Sequence, residues 1–163
     1  MIYVLIRIFL LLAASHTVPS QPPQSHLPST LSPTACSIVT RADVEDALGR
    51  RVDHGKPDVD GPESICDYTA KGGMVSVALQ KLSVKPNLAV EAAALKKEIP
   101  EAVIRAAPGF PDGFYLDIPD AGTQLHVIIG GSEHLMVSIL GFGDPSRVSA
   151  AAAQIARRAM QRL

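Results

Sequence analysis

The sequence alternates apolar and polar residues in several short stretches, and this pattern limits the fold more than any other feature. In the segment 74–82, Val75 and Val77 fall on one side of an extended chain, and the segments 124–130 and 134–140 repeat the pattern. Successive residues of a strand point to opposite faces, so each segment predicts a strand with one buried face. Short turns between the strands favour an antiparallel sheet with one core face and one partly wet face.

In several segments outside these strands, the apolar residues recur at the spacing of an α-helix. Helices are predicted at 41–48, 87–99 and 145–162, with Thr40 and Asp144 as the N-caps of the first and the last. Further strands are predicted at 50–53, 64–70, 102–106 and 114–118. The resulting order, α-β-β-β-α-β-β-β-α, is an α+β fold in which an antiparallel sheet and about three helices form a two-layer sandwich.

The first residues have the pattern of an export signal. Arg7 supplies a positive charge, an apolar run extends over 8–14, and Ala13 and Ser15 fit the small positions before a cleavage site. A membrane anchor is the alternative, but it needs about 20 apolar residues. We therefore predict a signal peptide at 1–15 and a periplasmic or secreted protein. A disordered Pro/Ser-rich tether at 16–35 and a single α+β domain at 36–163 are predicted to follow.

Cys36 and Cys66 are the two cysteines of the chain. An even pair in an exported chain favours a disulfide. A catalytic or metal-binding pair is the alternative, although the chain has no C-x-x-C spacing and neither cysteine has a neighbouring His. Cys36 lies too far beyond the apolar run to be a lipidated cysteine.

The composition argues against several functions. The 15 basic and 16 acidic residues nearly balance, so there is no basic excess to neutralise the phosphates of a nucleic acid. The sequence contains no G-x-S-x-G nucleophile motif and no H-E-x-x-H metal motif. We therefore predict a domain without a cofactor or a bound metal, which acts by binding a protein or a small ligand of the cell envelope and not by catalysis.

The predicted wet face of the sheet is the candidate binding face. It carries Gln124, His126, Ile128, Met136 and Ser138. This mixture of apolar and neutral polar groups suits a protein or small-ligand contact, and an ordinary solvated surface is the alternative. Pairing of Leu125 with Ile139 would leave His126 and His134 on this face roughly 13 Å apart, too far to share a metal ion.

Two other functions stay open. A small hydrolase could assemble a dispersed site from residues such as Asp53, His54 and Asp117. An inhibitor-like module could present the loop at 108–113 to a protease. A deep pocket with convergent titratable groups would favour the hydrolase, and a protruding ordered loop would favour the inhibitor.

Two stretches resemble a known group of sequences. The segment 36–49, CSIVTRADVEDALG, is similar to the Cys-Ser-Leu-Leu-Thr…Val…Leu-Gly opening of small exported bacterial proteins of unknown function, and the segment 66–68 resembles their Cys-x-Tyr strand. The segment 108–112 is similar to their Gly-x-Gly-Asp loop, from which Phe110 and Pro111 depart. The resemblance implies export and a paired cysteine, and it brings no catalytic residue with it.

Overall fold

The computed structural model describes residues 33–143 and 145–163, in which seven strands form one antiparallel sheet. The strands are β1 (Lys56–Asp60), β2 (Glu63–Ala70), β3 (Gly73–Lys81), β4 (Val103–Ala106), β5 (Gly113–Ile118), β6 (Gly122–Ile129) and β7 (Glu133–Leu140). The helices are α1 (Ala35–Ile38), α2 (Arg41–Leu48), α3 (Leu88–Glu98) and α4 (Pro145–Met160). The sheet order is β1-β2-β3-β7-β6-β5-β4, which confirms the antiparallel α+β prediction. The second half contains four strands, at the four places where strands are predicted between 102 and 140, so the predicted order is one strand short.

The first strand lies further along the chain than predicted. Residues 50–53 form no strand, although the backbone N–H of Asp53 donates to the Thr69 carbonyl. The backbone N–H of Val52 donates to the side chain of Glu45, so that segment finds partners outside the sheet. β1 is instead an edge strand that contains Pro57, a residue that edge strands tolerate. Its polar sequence carries no alternation that could have revealed it.

Three helices cover one face of the sheet and form the main core with it. α4 packs on β6 and β7, and α2 packs on α4. Val77, Leu125 and Val137 of the sheet and Ile155 of α4 are fully buried there. Arg162, beyond the end of α4, donates to the Asp43 carboxylate of α2 at 2.6 Å and 3.1 Å. This face and its helices form the two-layer sandwich predicted from the sequence.

The remaining helix packs on the opposite face, near one edge of the sheet. Phe114 and Leu116 alternate with the core residue Tyr115 along β5, and they form a second small cluster with Leu95 and Ile99. The contacts of α3 with the sheet fall mainly on β4 and β5. The other strands of this face are therefore left without a packed helix in the part of the chain described here.

The predicted disulfide is confirmed. Cys36 of α1 and Cys66 of β2 are bonded, with their Cα atoms 5.1 Å apart. Nearby, the Tyr68 hydroxyl donates to the Val39 carbonyl at 2.6 Å, which fastens the chain after α1 to the same strand. The bond is consistent with an oxidising, extracytoplasmic location.

Two predictions about the N-terminal region lie outside the described residues: the signal peptide at 1–15 and most of the tether at 16–35. Ala35, which the sequence analysis assigns to the tether, begins α1 and is fully buried. The predicted N-cap Asp144 also lies outside the described residues. Among the helices that are described, none is long and apolar enough to span a membrane.

Candidate functional site

The sheet surface opposite α4, across β2, β3, β7 and β6, is the candidate site, and we call it the open face. It carries Asp67, Ser76, Ala78, Gln80, Gln124, His126, Ile128, His134, Met136 and Ser138. The strand register places Asp67, Ser76, Ser138 and Gln124 in one straight row across four strands. The next row consists of Ala78, Met136 and His126, and it ends at Phe114.

The five residues predicted as a binding face therefore share one face, as expected, but most of them are not wet. His126, Ile128 and Ser138 are buried, whereas Gln124 and Met136 are partly exposed. The Phe114 ring, stacked on His126, accounts for part of this burial. On β3 and β7 the partly exposed residues of the open face are Ser76, Gln80, His134 and Met136, whereas Ala78 is buried.

Two histidines meet on the open face. Nδ1 of His126 lies 3.2 Å from Nε2 of His134, and Nε2 of His126 lies 3.3 Å from Oε1 of Gln124. The Phe114 ring stacks on the other side of His126, with the ring centroids 4.6 Å apart. His126 is thus held between an aromatic ring and a second imidazole.

The predicted separation of roughly 13 Å between these histidines is wrong. It assumed that Leu125 pairs with Ile139, whereas Leu125 pairs with Val137. The shift of two residues leaves every side chain on its predicted face, and it brings His134 diagonally next to His126. Alternation alone cannot distinguish the two registers, because both bury the same residues.

The surroundings keep both imidazoles neutral. Burial, together with a smaller effect of the adjacent His134, lowers the pKa of His126 to about 3. Burial also lowers the pKa of His134, against the opposing effect of the negative charge of Glu91 on α3. Neutral rings retain an unprotonated nitrogen, which can accept a hydrogen bond or a metal ion.

Asp67 is a feature of the open face that the sequence analysis did not identify. Its Oδ1 atom is buried and has no hydrogen-bond partner within the described residues. A buried acceptor without a partner costs about 1–3 kcal/mol. Asp67 sits between Cys66 and Tyr68 in a strand with alternating burial, but only the observed register shows that it adjoins Ser76.

The residues of the hydrolase hypothesis lie apart. Asp53 accepts a hydrogen bond from Thr69 beside β2, whereas Asp117 lies on β5, four strands and about 19 Å away. Burial would raise the pKa of Asp117, but hydrogen bonds from Arg105 and Thr123 hold it below its usual value. A carboxylate paired in this way is a poor general base. It borders a shallow cleft of about 670 Å³ at the end of the sheet.

The loop at 108–113 is fastened to the body of the domain. Phe110 is buried in the main core beneath the guanidinium of Arg157. Lys85 lies 3.0 Å from the Asp112 carboxylate, and the Asp112 carbonyl accepts from the Ile128 N–H. The loop therefore does not offer its one aromatic side chain to a protease.

Within the described ranges, no three His, Cys, Asp or Glu side chains are grouped to hold a metal ion. Comparison of the chain with protein-family models, curated proteins and solved structures finds no match.

Proposed function

We propose that this protein is an exported, non-enzymatic binding domain that contacts a protein partner of the cell envelope through its open face. One observation carries the proposal: α3 packs near one edge of this sheet face, and the partly exposed Ser76, Gln80 and Met136 of β3 and β7 carry no charge. Ser76 and Met136 combine a small neutral polar group and an apolar group there. Protein interfaces have this composition, with few charges at the core.

The chemistry of the face indicates what the partner must supply. The Met136 side chain, half-buried, offers an adaptable apolar contact. Ser76, Ser138 and Gln124 carry no charge, so this part of their row gives no attraction for a strongly charged surface. We therefore infer a partner with an apolar centre.

Site-specific photo-crosslinking in the native host tests this proposal. A photoreactive amino acid at Gln80 should yield one discrete adduct, and the same amino acid at Ala150, exposed on α4, should not. Ser76→Arg should abolish the adduct because it places a charge at the centre of the face, and Ala150→Arg should leave it unchanged. The thermal unfolding temperature of each variant establishes that it is folded.

Two results would contradict the proposal. The adduct could form equally from Ala150, or it could persist in the Ser76→Arg variant, and either result would show that the open face is not the contact surface. Substrate turnover by the purified protein that a single Asp or His substitution abolishes would overturn the non-enzymatic function itself.

A further inference from the structure

We propose that His126, His134 and Met136 bind one copper ion on the open face, through Nδ1 of His126, Nε2 of His134 and the thioether sulfur of Met136. The inference builds on the proposed role of this face in binding, but it requires no protein partner.

The spacing of the two nitrogen atoms is the first observation. Metal–imidazole bonds are about 2.0–2.1 Å long, so two imidazoles at a tetrahedral angle have their nitrogens about 3.3 Å apart. Nδ1 of His126 and Nε2 of His134 are 3.2 Å apart. In the absence of metal, one shared proton can occupy this gap as a hydrogen bond. An ion that displaces that proton would not need to move the strands.

The position of Met136 is the second observation. Met136 is the direct partner of His126 across the β6–β7 ladder and lies two residues from His134 on β7. Side chains at directly opposite positions of a ladder start about 4.5–5.5 Å apart, so the flexible Met136 side chain begins within reach of the pair. Imidazole with thioether is a soft donor set, which selects copper over Mg²⁺ or Ca²⁺. The third proposed ligand is a methionine, so the site is not a group of three His, Cys, Asp or Glu side chains, and no such group occurs in the described residues.

The outer contacts fit ligand histidines. A histidine that binds a metal through one nitrogen usually donates its other N–H to a carbonyl or a carboxylate. Nε2 of His126 faces Oε1 of Gln124 at 3.3 Å, so His126 has such a partner. Cys36 and Cys66 are bonded to each other, so no thiolate competes for the ion.

Anaerobic titration of the purified, disulfide-bonded full-length protein with Cu(I), against a chromophoric Cu(I) chelator, tests the proposal. We expect one equivalent to bind, and X-ray absorption at the copper edge should show two nitrogen neighbours and one sulfur neighbour. His134→Gln should abolish binding. Met136→Leu should weaken binding and remove the sulfur neighbour. Gln124→Leu should weaken binding by about 10- to 100-fold, as expected for a contact that orients a ligand.

Matched variants at similar residues control for unspecific binding. Met74→Leu changes another methionine of the same sheet face, and His54→Gln changes an exposed histidine near α2, so both should bind as wild type does. Four results would each overturn the copper site. Wild-type protein could bind no equivalent of Cu(I), or bind Zn(II) more tightly than Cu(I). The His134→Gln variant could still bind Cu(I), or the X-ray absorption spectrum could show no sulfur neighbour. None of these results depends on the crosslinking in cells, so the copper site and the protein-binding face can fail separately.

Discussion

The imidazole rings of His126 and His134 are in contact, with their centroids 5.3 Å apart. His134 lies diagonally across the β6–β7 ladder from His126, two residues from Met136, which is the direct ladder partner of His126. This relationship depends on the register of one hairpin. The residues that flank the pair, Gln124 and Phe114, come from β6 and β5. Three neighbouring strands therefore build the most chemically specific place on the open face.

The packing of α4 on the sheet gives the first prediction. Ile155→Asp places a charge in a fully buried position of the main core, so we expect the free energy of unfolding to fall by more than about 4 kcal/mol. Ala150→Asp, on the exposed side of the same helix, should change it by about 0.5 kcal/mol or less. Chemical denaturation measures both values, and an Ile155→Asp variant as stable as wild type would show that α4 is not docked.

The disulfide gives the second prediction. Cys36 and Cys66 are 30 residues apart, and a loop of this length corresponds to about 3–4 kcal/mol in the chain-entropy model. Reduction should lower the thermal unfolding temperature of the wild type clearly. The Cys36→Ala/Cys66→Ala double variant should melt at the lower temperature whether or not reductant is present. Two free thiols titrated in the oxidised, folded protein would rule the bond out.

The ion pair between Asp43 and Arg162 gives the third prediction. The hydrogen bond from Arg162 holds the pKa of Asp43 well below its ordinary value of 3.8, against the effect of burial. Because the folded state binds this proton more weakly than the unfolded state, the pair stabilises the fold above about pH 4. That contribution is lost as the pH falls below this value.

We therefore expect Asp43→Asn to cost about 2 kcal/mol of unfolding free energy at pH 7 and much less at pH 2. Asp46→Asn, at a mostly exposed carboxylate of the same helix, is the matched control and should cost little at either pH. Denaturation curves recorded between pH 2 and pH 7 provide the comparison. An equal cost of Asp43→Asn at both ends of that range would mean that its charge does not stabilise the fold.

The sequence predicts the elements of this fold well where apolar periodicity and cap residues act together. Helix α2 begins after Thr40, whose hydroxyl accepts from the Asp43 N–H, and it ends before Gly49 in the left-handed conformation. Both signals are local and can be read from neighbouring residues. The sequence does not predict β1, because an edge strand with two exposed faces needs no apolar pattern.

The candidate site could be predicted only in part. Alternation along β6 and β7 correctly places Gln124, His126 and Met136 on one face, but it specifies the register only to within two residues. The turn decides between the remaining registers: Gly130 and Gly131 both adopt positive φ, which sets the reversal at 130–132. Burial of His126 depends on Phe114, and no local pattern links that residue to β6.

The most direct test of the copper site on the open face is the methyl NMR spectrum of protein labelled with ¹³C-methyl methionine, recorded before and after one equivalent of Cu(I). The Met136 methyl signal should shift, while the signals of Met74, on the same face, and Met160, at the end of α4, should stay in place. The His134→Gln variant should show no shift at Met136 under the same conditions. A Met136 signal that does not move in the wild-type protein, or that moves equally in the His134→Gln variant, would contradict the proposed site.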